Sequence, residues 1–208
     1  ADYSCLSQDV LDDKISYVLR VRGDAVRITV PAGVHVAENV AAVTAMAMEL
    51  GLSPAAVESG LAAFSPVPQR FVPARVGSWL FIDDTYNANP VSMARSIREA
   101  QRLARGRRLV LVLADMLELG EDSARAHRKL GELVAGTPAS HCFYHGRHAD
   151  DVRAGLAGFK GDFRHVSGAE EVQQALAPVR NEPGVMLFKG SRGCKMEQYY
   201  SFLERNWA

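Results

Sequence analysis

The chain has 208 residues, 48% of them hydrophobic and 23% charged, and its 24 Lys+Arg balance 24 Asp+Glu to a formal net charge of zero. That balance argues against a nucleic-acid or anionic-membrane partner, and no apolar run approaches the roughly 18 residues of a membrane span. Cys5, Cys142 and Cys194 are odd in number and lack a Cys-x-x-Cys, which speaks against a disulfide framework or zinc ribbon and for a reducing compartment.

The amino terminus has no signal-peptide pattern: Asp2, Asp9, Asp12 and Asp13 occupy the place of a basic n-region and apolar core, so the cytoplasm is the expected location. The start at Ala1-Asp2-Tyr3-Ser4, without Met, reads as a fragment of a longer polypeptide. Ile15–Val21 alternates apolar and polar positions and predicts a half-buried strand, joined through Arg22-Gly23-Asp24 to a second strand at Ala25–Val30. A helix is expected from Glu38 to Leu50, with Val40, Val43, Ala47 and Leu50 on one face and Gly51 as its stop. Ser53-Pro54 opens another, ending near Phe64. Ser65–Pro73 carries three prolines and reads as a linker between residues 1–73 and residues 74–208.

Beyond it strands and helices alternate: Trp79–Asp83, Pro90–Ala104, Arg108–Leu113, Ser123–Ala135, His141–Tyr144, Ala149–Leu156, Asp162–Val166, Ala169–Val179, Val185–Lys189 and Lys195–Asn206. That order predicts an α/β fold with a doubly wound, mainly parallel sheet. Within it, Asp83-Asp84-Thr85-Tyr86-Asn87-Ala88-Asn89-Pro90 follows an apolar strand and opens a helix, with Asn89 as N-cap and Pro90 at the first helical position. Two carboxylates, a phenol and two amides in one strand-to-helix turn exceed what capping needs, and such turns are where α/β folds hold ligands.

This octapeptide resembles the Asp-Asp-x-Tyr-Asn-Ala-Asn-Pro signature of the Mur ligases, ATP-dependent amide-forming enzymes of peptidoglycan synthesis, and most of all of the member that adds D-alanyl-D-alanine. Leu113-Ala114-Asp115-Met116-Leu117-Glu118-Leu119-Gly120 and Phe188-Lys189-Gly190-Ser191-Arg192-Gly193 agree with it in the same order. The resemblance implies that residues 1–73 are the tail of a central ATP-binding domain and that residues 74–208 are a Rossmann-like C-terminal domain. It implies ATP as co-substrate, Mg2+ held by residues upstream of this sequence, and UDP-MurNAc-tripeptide and D-Ala-D-Ala as partners.

Site roles follow residue by residue from the same resemblance. Asn39 would read the adenine edge with His35 beside it, although as a bare residue Asn39 serves equally as a helix cap. Arg70 would reach the γ-phosphate and the acyl phosphate with its planar fork of donors, where an isolated linker arginine is otherwise merely solvated. Asp84 would accept from the ribose, with Tyr86, Asn87 and Asn89 lining the same cleft. Asp115 and Glu118 either hold the ammonium of the dipeptide or orient their loop. Lys189, Ser191 and Arg192 would face the peptide substrates, and His127 would pack or hydrogen-bond rather than catalyse.

Some chemistry is missing from these 208 residues. No Gly-x-x-x-x-Gly-Lys-[Ser/Thr] phosphate loop and no Gly-x-Gly-x-x-Gly fingerprint occurs. His141 and His145 fall about 13 Å apart along a strand, at roughly 3.3 Å per residue, too far to share a metal. The basic face of Arg95, Arg98, Arg102 and Arg105 reads as solvated. The expectation is therefore the C-terminal part of an amide ligase that is inactive alone. The alternatives are another ligase of the superfamily, such as a folylpolyglutamate-type enzyme, or a non-catalytic Rossmann-like binding module. Oligomeric state is not legible.

Overall fold

The computed structural model describes residues 3–11, 14–31, 37–64 and 67–207. Contacts divide the chain into two compact units, Ala1–Val67 and Pro68–Ala208.

In the first unit, strands β1 (Tyr3–Leu11), β2 (Lys14–Val21) and β3 (Asp24–Pro31) form an antiparallel sheet in that order, followed by helices α1 (Ala37–Glu49) and α2 (Pro54–Ala62). The alternation in β2 does what its period requires: Ile15, Tyr17, Leu19 and Val21 are buried with Ile28 and Val30 against Val40, Val57 and Leu61. The β2–β3 turn places Arg22 and Gly23 at φ 52° and 95°, the left-handed pair of a two-residue hairpin loop, where glycine is nearly strain-free. Ser53 caps α2 by accepting from the Ala56 N–H at 3.2 Å.

Two expectations for this unit are corrected. β1 has no counterpart in the sequence reading, because it is an exposed edge strand whose alternation is broken by an irregularity between Cys5 and Ser7. The buried line of α1 runs through Val40 and Thr44, while Val43 and Leu50 are exposed, Leu50 at 82%.

The second unit is a six-stranded sheet, built from β4 (Val72–Val76), β5 (Trp79–Asp84), β6 (Arg108–Ala114), β7 (His141–His145), β8 (Asp162–His165) and β9 (Gly184–Lys189). Their order is β4-β5-β9-β6-β7-β8; β4 is antiparallel to β5 and the rest are parallel. Helices α3 (Pro90–Ala104), α4 (Ser123–Ala135) and α5 (Ala149–Gly155) cover one face, and α6 (Ala169–Leu176) and α7 (Glu197–Trp207) the other. Leu109, Leu111 and Leu113 of β6 enter the first core, and Val110, Val112 and Ala114 the second. A strand buried on both faces shows this continuous apolar run instead of alternation.

The doubly wound expectation is met, and its interior boundaries shift by a few residues. α6 stops at Leu176 and passes into a 3-10 turn around Pro178, since proline cannot continue the helical hydrogen bonds. The division of the units falls at Val67/Pro68 instead of 73/74, because β4 begins at Val72 and belongs to the second sheet. Pro73 misled the linker reading: β4 is an edge strand, where a residue without an N–H is tolerated.

Helices α4 and α5 meet through glycine. A Cβ on Gly155 would lie 2.0 Å from the Arg128 carbonyl oxygen, and one on Gly131 2.1 Å from that of Val152. Gly155→Ala should therefore force the helices apart and destabilise the second unit by about 1–3 kcal/mol. Urea unfolding of the two proteins checks this; an unchanged midpoint would mean that the helix pair yields freely.

Candidate functional site

β9 lies between β5 and β6, yet the chain leaves β5 and β6 toward the α3–α4 face and leaves β9 toward α7 on the opposite face. Such a reversal opens a crevice at the carboxyl ends of the strands. The residues there are Asp84, Lys189 and the segments that follow them.

Asp84 and Lys189 are register partners at the ends of adjacent parallel strands. The Lys189 ammonium donates to Asp84 Oδ2 at 2.7 Å and to the Asn87 carbonyl at 3.0 Å, with 2% of its side chain exposed. Burial pulls the Lys189 pKa down from the usual lysine value, and the Asp84 carboxylate opposes that shift. The Ser96 hydroxyl also hydrogen-bonds Asp84 Oδ2, and the Phe71 N–H donates to Oδ1 at 3.1 Å. Asp84 is thus nearly enclosed by protein donors. Beside it, desolvation raises the pKa of Asp83, whose Oδ1 accepts from the Thr85 hydroxyl at 2.6 Å.

Outside this pair the polar groups are open. Arg70 and Arg192 are exposed, with their guanidinium carbons 4.1 and 5.4 Å from the centroid of the exposed Tyr86 ring. Asn87 and Asn89 are exposed as well, and Asn89 forms a capping box with Ser92 at the start of α3. Lys189 and Arg192, grouped as substrate-facing by sequence, therefore divide: one is buried with Asp84, the other is exposed and bonded to Gln69. An Asp84→Ala substitution would remove the partner of a buried cation.

A second node surrounds Asp115. Its carboxylate accepts from the Tyr144 hydroxyl at 2.7 Å and from the Arg147 and His148 N–H groups at 3.1 and 3.3 Å. Tyr144 titrates far above the normal tyrosine range through burial and the neighbouring carboxylate. Asp115 thus orients the loop after β7, a different loop from its own, while Glu118 is exposed at φ 63°. Ser191 joins the nodes: its hydroxyl donates to the Ala88 carbonyl at 3.1 Å and accepts from the Leu117 N–H at 2.8 Å, tying the loops after β5, β6 and β9.

His127 is fully buried. Its Nδ1 faces the Ser123 carbonyl at 2.7 Å and its Nε2 accepts from the Met116 N–H at 2.9 Å, which defines the neutral Nδ1–H tautomer. Burial lowers its pKa accordingly. Its role is structural, holding the loop that follows β6.

In the first unit, Asn39 is exposed on the first turn of α1, two residues inside the helix start, so it is not the cap. His35 lies outside the described residues. Sequence reasoning missed Gln69, Ser96 and Tyr144. Ser96 had a visible signal, a hydroxyl among Met93, Ile97 and Ala100 on the buried stripe of α3.

The family described as Mur ligase, glutamate ligase domain, matches residues 69–192, which include both nodes. The chain belongs to the Mur ligase family. A UDP-N-acetylmuramoyl-tripeptide–D-alanyl-D-alanine ligase of Haemophilus influenzae is 30% identical over 94% of this chain and 43% of its own length. The Bacillus subtilis protein of the same name is 28% identical over 92% of this chain and 43% of its own length. A crystal structure of MurF from Acinetobacter baumannii aligns with 98% of the chain and 45% of its own length, at TM-score 0.80 and 28% identity. The Thermotoga maritima MurF ligase, solved with ADP, shares the fold at TM-score 0.79 and 22% identity. The chain thus spans less than half the length of the relatives it matches. No described helix is long and apolar enough to cross a membrane.

Two predictions follow for this Mur ligase chain. Lys189→Met strands the Asp84 carboxylate in the interior and should cost about 3–5 kcal/mol, whereas Asp84→Asn combined with Lys189→Met should recover much of that loss. A double-mutant cycle in urea measures the coupling, and purely additive effects would remove the pair from the stability of the fold. The second concerns acid. His127 is neutral when folded and its folded pKa lies below the ordinary 6.5, so the unfolded chain takes up the proton first. Stability should be complete above about pH 6.5 and fall as the pH drops toward the folded pKa, by up to about 1.4 kcal/mol per pH unit per proton. His141, also lowered by burial, adds with the same sign. His127→Gln, whose amide oxygen accepts at any pH, should flatten the profile of urea midpoints between pH 7.5 and 5.

Proposed function

We propose that the chain is part of an ATP-dependent amide ligase that adds D-alanyl-D-alanine to UDP-MurNAc-tripeptide in peptidoglycan synthesis, in the cytoplasm. The observation that carries this reading is the switch-point crevice: an arginine, an aromatic ring and two exposed asparagines surround a fixed carboxylate, in a chain whose named relatives are ligases of that reaction. In this reading the first unit is part of a larger ATP-binding domain. Its exposed Met46, Leu50 and Leu52 support that, since such side chains gain by being covered. Asn39 and His35 would read the adenine, as the family resemblance implies.

The reaction needs a carboxylate phosphorylated by ATP and an amine that then attacks the acyl phosphate and expels phosphate. Arg70 would meet the transferring phosphoryl group, its fixed charge stabilising oxygens that gain charge in the transition state. Asp84, already oriented by Lys189, would accept from a ribose hydroxyl. Asn87 and Asn89 would line the same cleft as the ribose, and Arg192 would face the peptide substrates. Magnesium would neutralise phosphate charge in such a reaction, but the described carboxylates of the crevice are engaged by protein donors and no described group of His, Cys, Asp or Glu is placed to hold a metal. The reading assigns that ion, like the phosphate loop, to residues outside this sequence.

The test is phosphate release by the product of the complete reading frame, given ATP, UDP-MurNAc-tripeptide and D-Ala-D-Ala. Turnover should require all three, and Arg70→Ala should lower kcat at least about 100-fold. The 208 residues alone should release none. Turnover with glutamate or another single amino acid in place of the dipeptide would assign the chain to a different ligase, and binding without turnover to a non-catalytic module.

A further inference from the structure

Arg70 is flanked by two residues in the left-handed region, Gln69 at φ 63° and Phe71 at φ 57°. Neither is glycine, so each resists that conformation and persists only because its surroundings hold it there. The restraints come from the turn after β5. The Tyr86 N–H donates to the Gln69 carbonyl at 3.0 Å, and the Phe71 N–H donates to Asp84 Oδ1 at 3.1 Å. The Arg192 guanidinium donates to Gln69 Oε1 at 2.9 Å.

This leaves the Tyr86 ring with an unusual place. It is exposed, so the core does not require it, yet both guanidinium groups lie within 5.4 Å of its centroid. An aromatic face attracts a cation through its quadrupole. A guanidinium stacked on a ring spends its face on the contact and keeps its edge N–H groups for an anion. The arrangement limits the rotamers of two long side chains of like charge and keeps them together, which solvation and mutual repulsion would otherwise oppose.

We propose that Tyr86 is a positioning residue whose ring holds Arg70 and Arg192 together as one seat for a polyanionic group, with its backbone N–H fixing the left-handed segment that aims Arg70. That the anion is a phosphate chain rests on the role of Arg70 in the ligase reading above, and it moves Arg192, given there to the peptide substrates, onto the same anion. The positioning itself does not rest on that reading.

The experiment separates the two. In the 208-residue chain, ring currents from Tyr86 should displace the NMR resonances of the Arg70 and Arg192 side chains. Tyr86→Phe should retain the displacement and Tyr86→Leu abolish it, with the melting temperature unchanged because the ring is exposed. Titration with inorganic tripolyphosphate should give a dissociation constant about threefold to fivefold higher for Tyr86→Leu, the size of an exposed cation–π contact, and nearly unchanged for Tyr86→Phe. Arginine resonances unmoved by Tyr86→Leu, or equal affinity in Tyr86→Leu and the parent chain, would overturn the positioning role. Displaced resonances without any tripolyphosphate binding would uphold the positioning and remove the phosphate from the ligase reading.

Discussion

The carboxyl end of the sheet depends on one buried ion pair. Asp84 and Lys189 close two neighbouring parallel strands in register, and each is shielded from water by the loops that follow. Taking two charges out of solvent is costly, and their attraction repays it only when the remaining hydrogen-bonding capacity is met. Here most of it is met: Lys189 has the Asn87 carbonyl beside Asp84, and Asp84 has the Ser96 hydroxyl and the Phe71 N–H. The consequence is specificity of register. Slipping β5 against β9 by one residue would leave an unpaired charge in an apolar interior, which no rearrangement of the surrounding leucines and valines would relieve.

The same pair transmits order outward. Through Phe71 it fixes the entry of the chain into β4, and through Asn87 it fixes the turn that ends in the Asn89 cap of α3. Ser191, two residues beyond Lys189, carries the order across to the loop after β6, where Asp115 and His127 act as a second buried polar node. Both nodes are built from groups bonded mainly to protein. The strand ends are thus rigid underneath, and their outer surface presents Arg70, Tyr86, Asn87, Asn89 and Arg192.

Much of this fold is legible in the amino-acid sequence, because apolar runs and caps are local signals. Pro90–Ala104 is bounded as read, since Asn89 and Pro90 mark its start and the stripe of Met93, Ile97, Ala100 and Ala104 marks its face. The strands missed are the ones whose local signal is broken: β1 by a register shift, and β4 by a proline that an edge position tolerates. In α1 the apolar content is high on more than one side, so periodicity alone chose the wrong buried line. The residues of the crevice were legible as a group through three motifs. Their pairing was not, because Asp84 meets a lysine 105 residues away and Asp115 a tyrosine 29 residues away.

Residue type at a strand end is therefore an incomplete signal, and bonding completes it. Asp84, Asp115, Lys189 and Ser191 have the chemistry of ligand contacts, but the fold has used most of their donors and acceptors. Arg192 shares a motif with Lys189 and Ser191 and lies outside that network except for one bond to Gln69. A buried group already satisfied by protein gains little from a ligand, because the new bond replaces an old one. An exposed guanidinium whose remaining N–H groups face solvent exchanges water for ligand without that loss. On this ground the crevice divides into buried residues that set geometry, with Asp84 keeping at most a remaining lone pair for the ribose of the proposed reading, and exposed ones left open to a ligand, a division that crosses each of the three sequence motifs instead of following them.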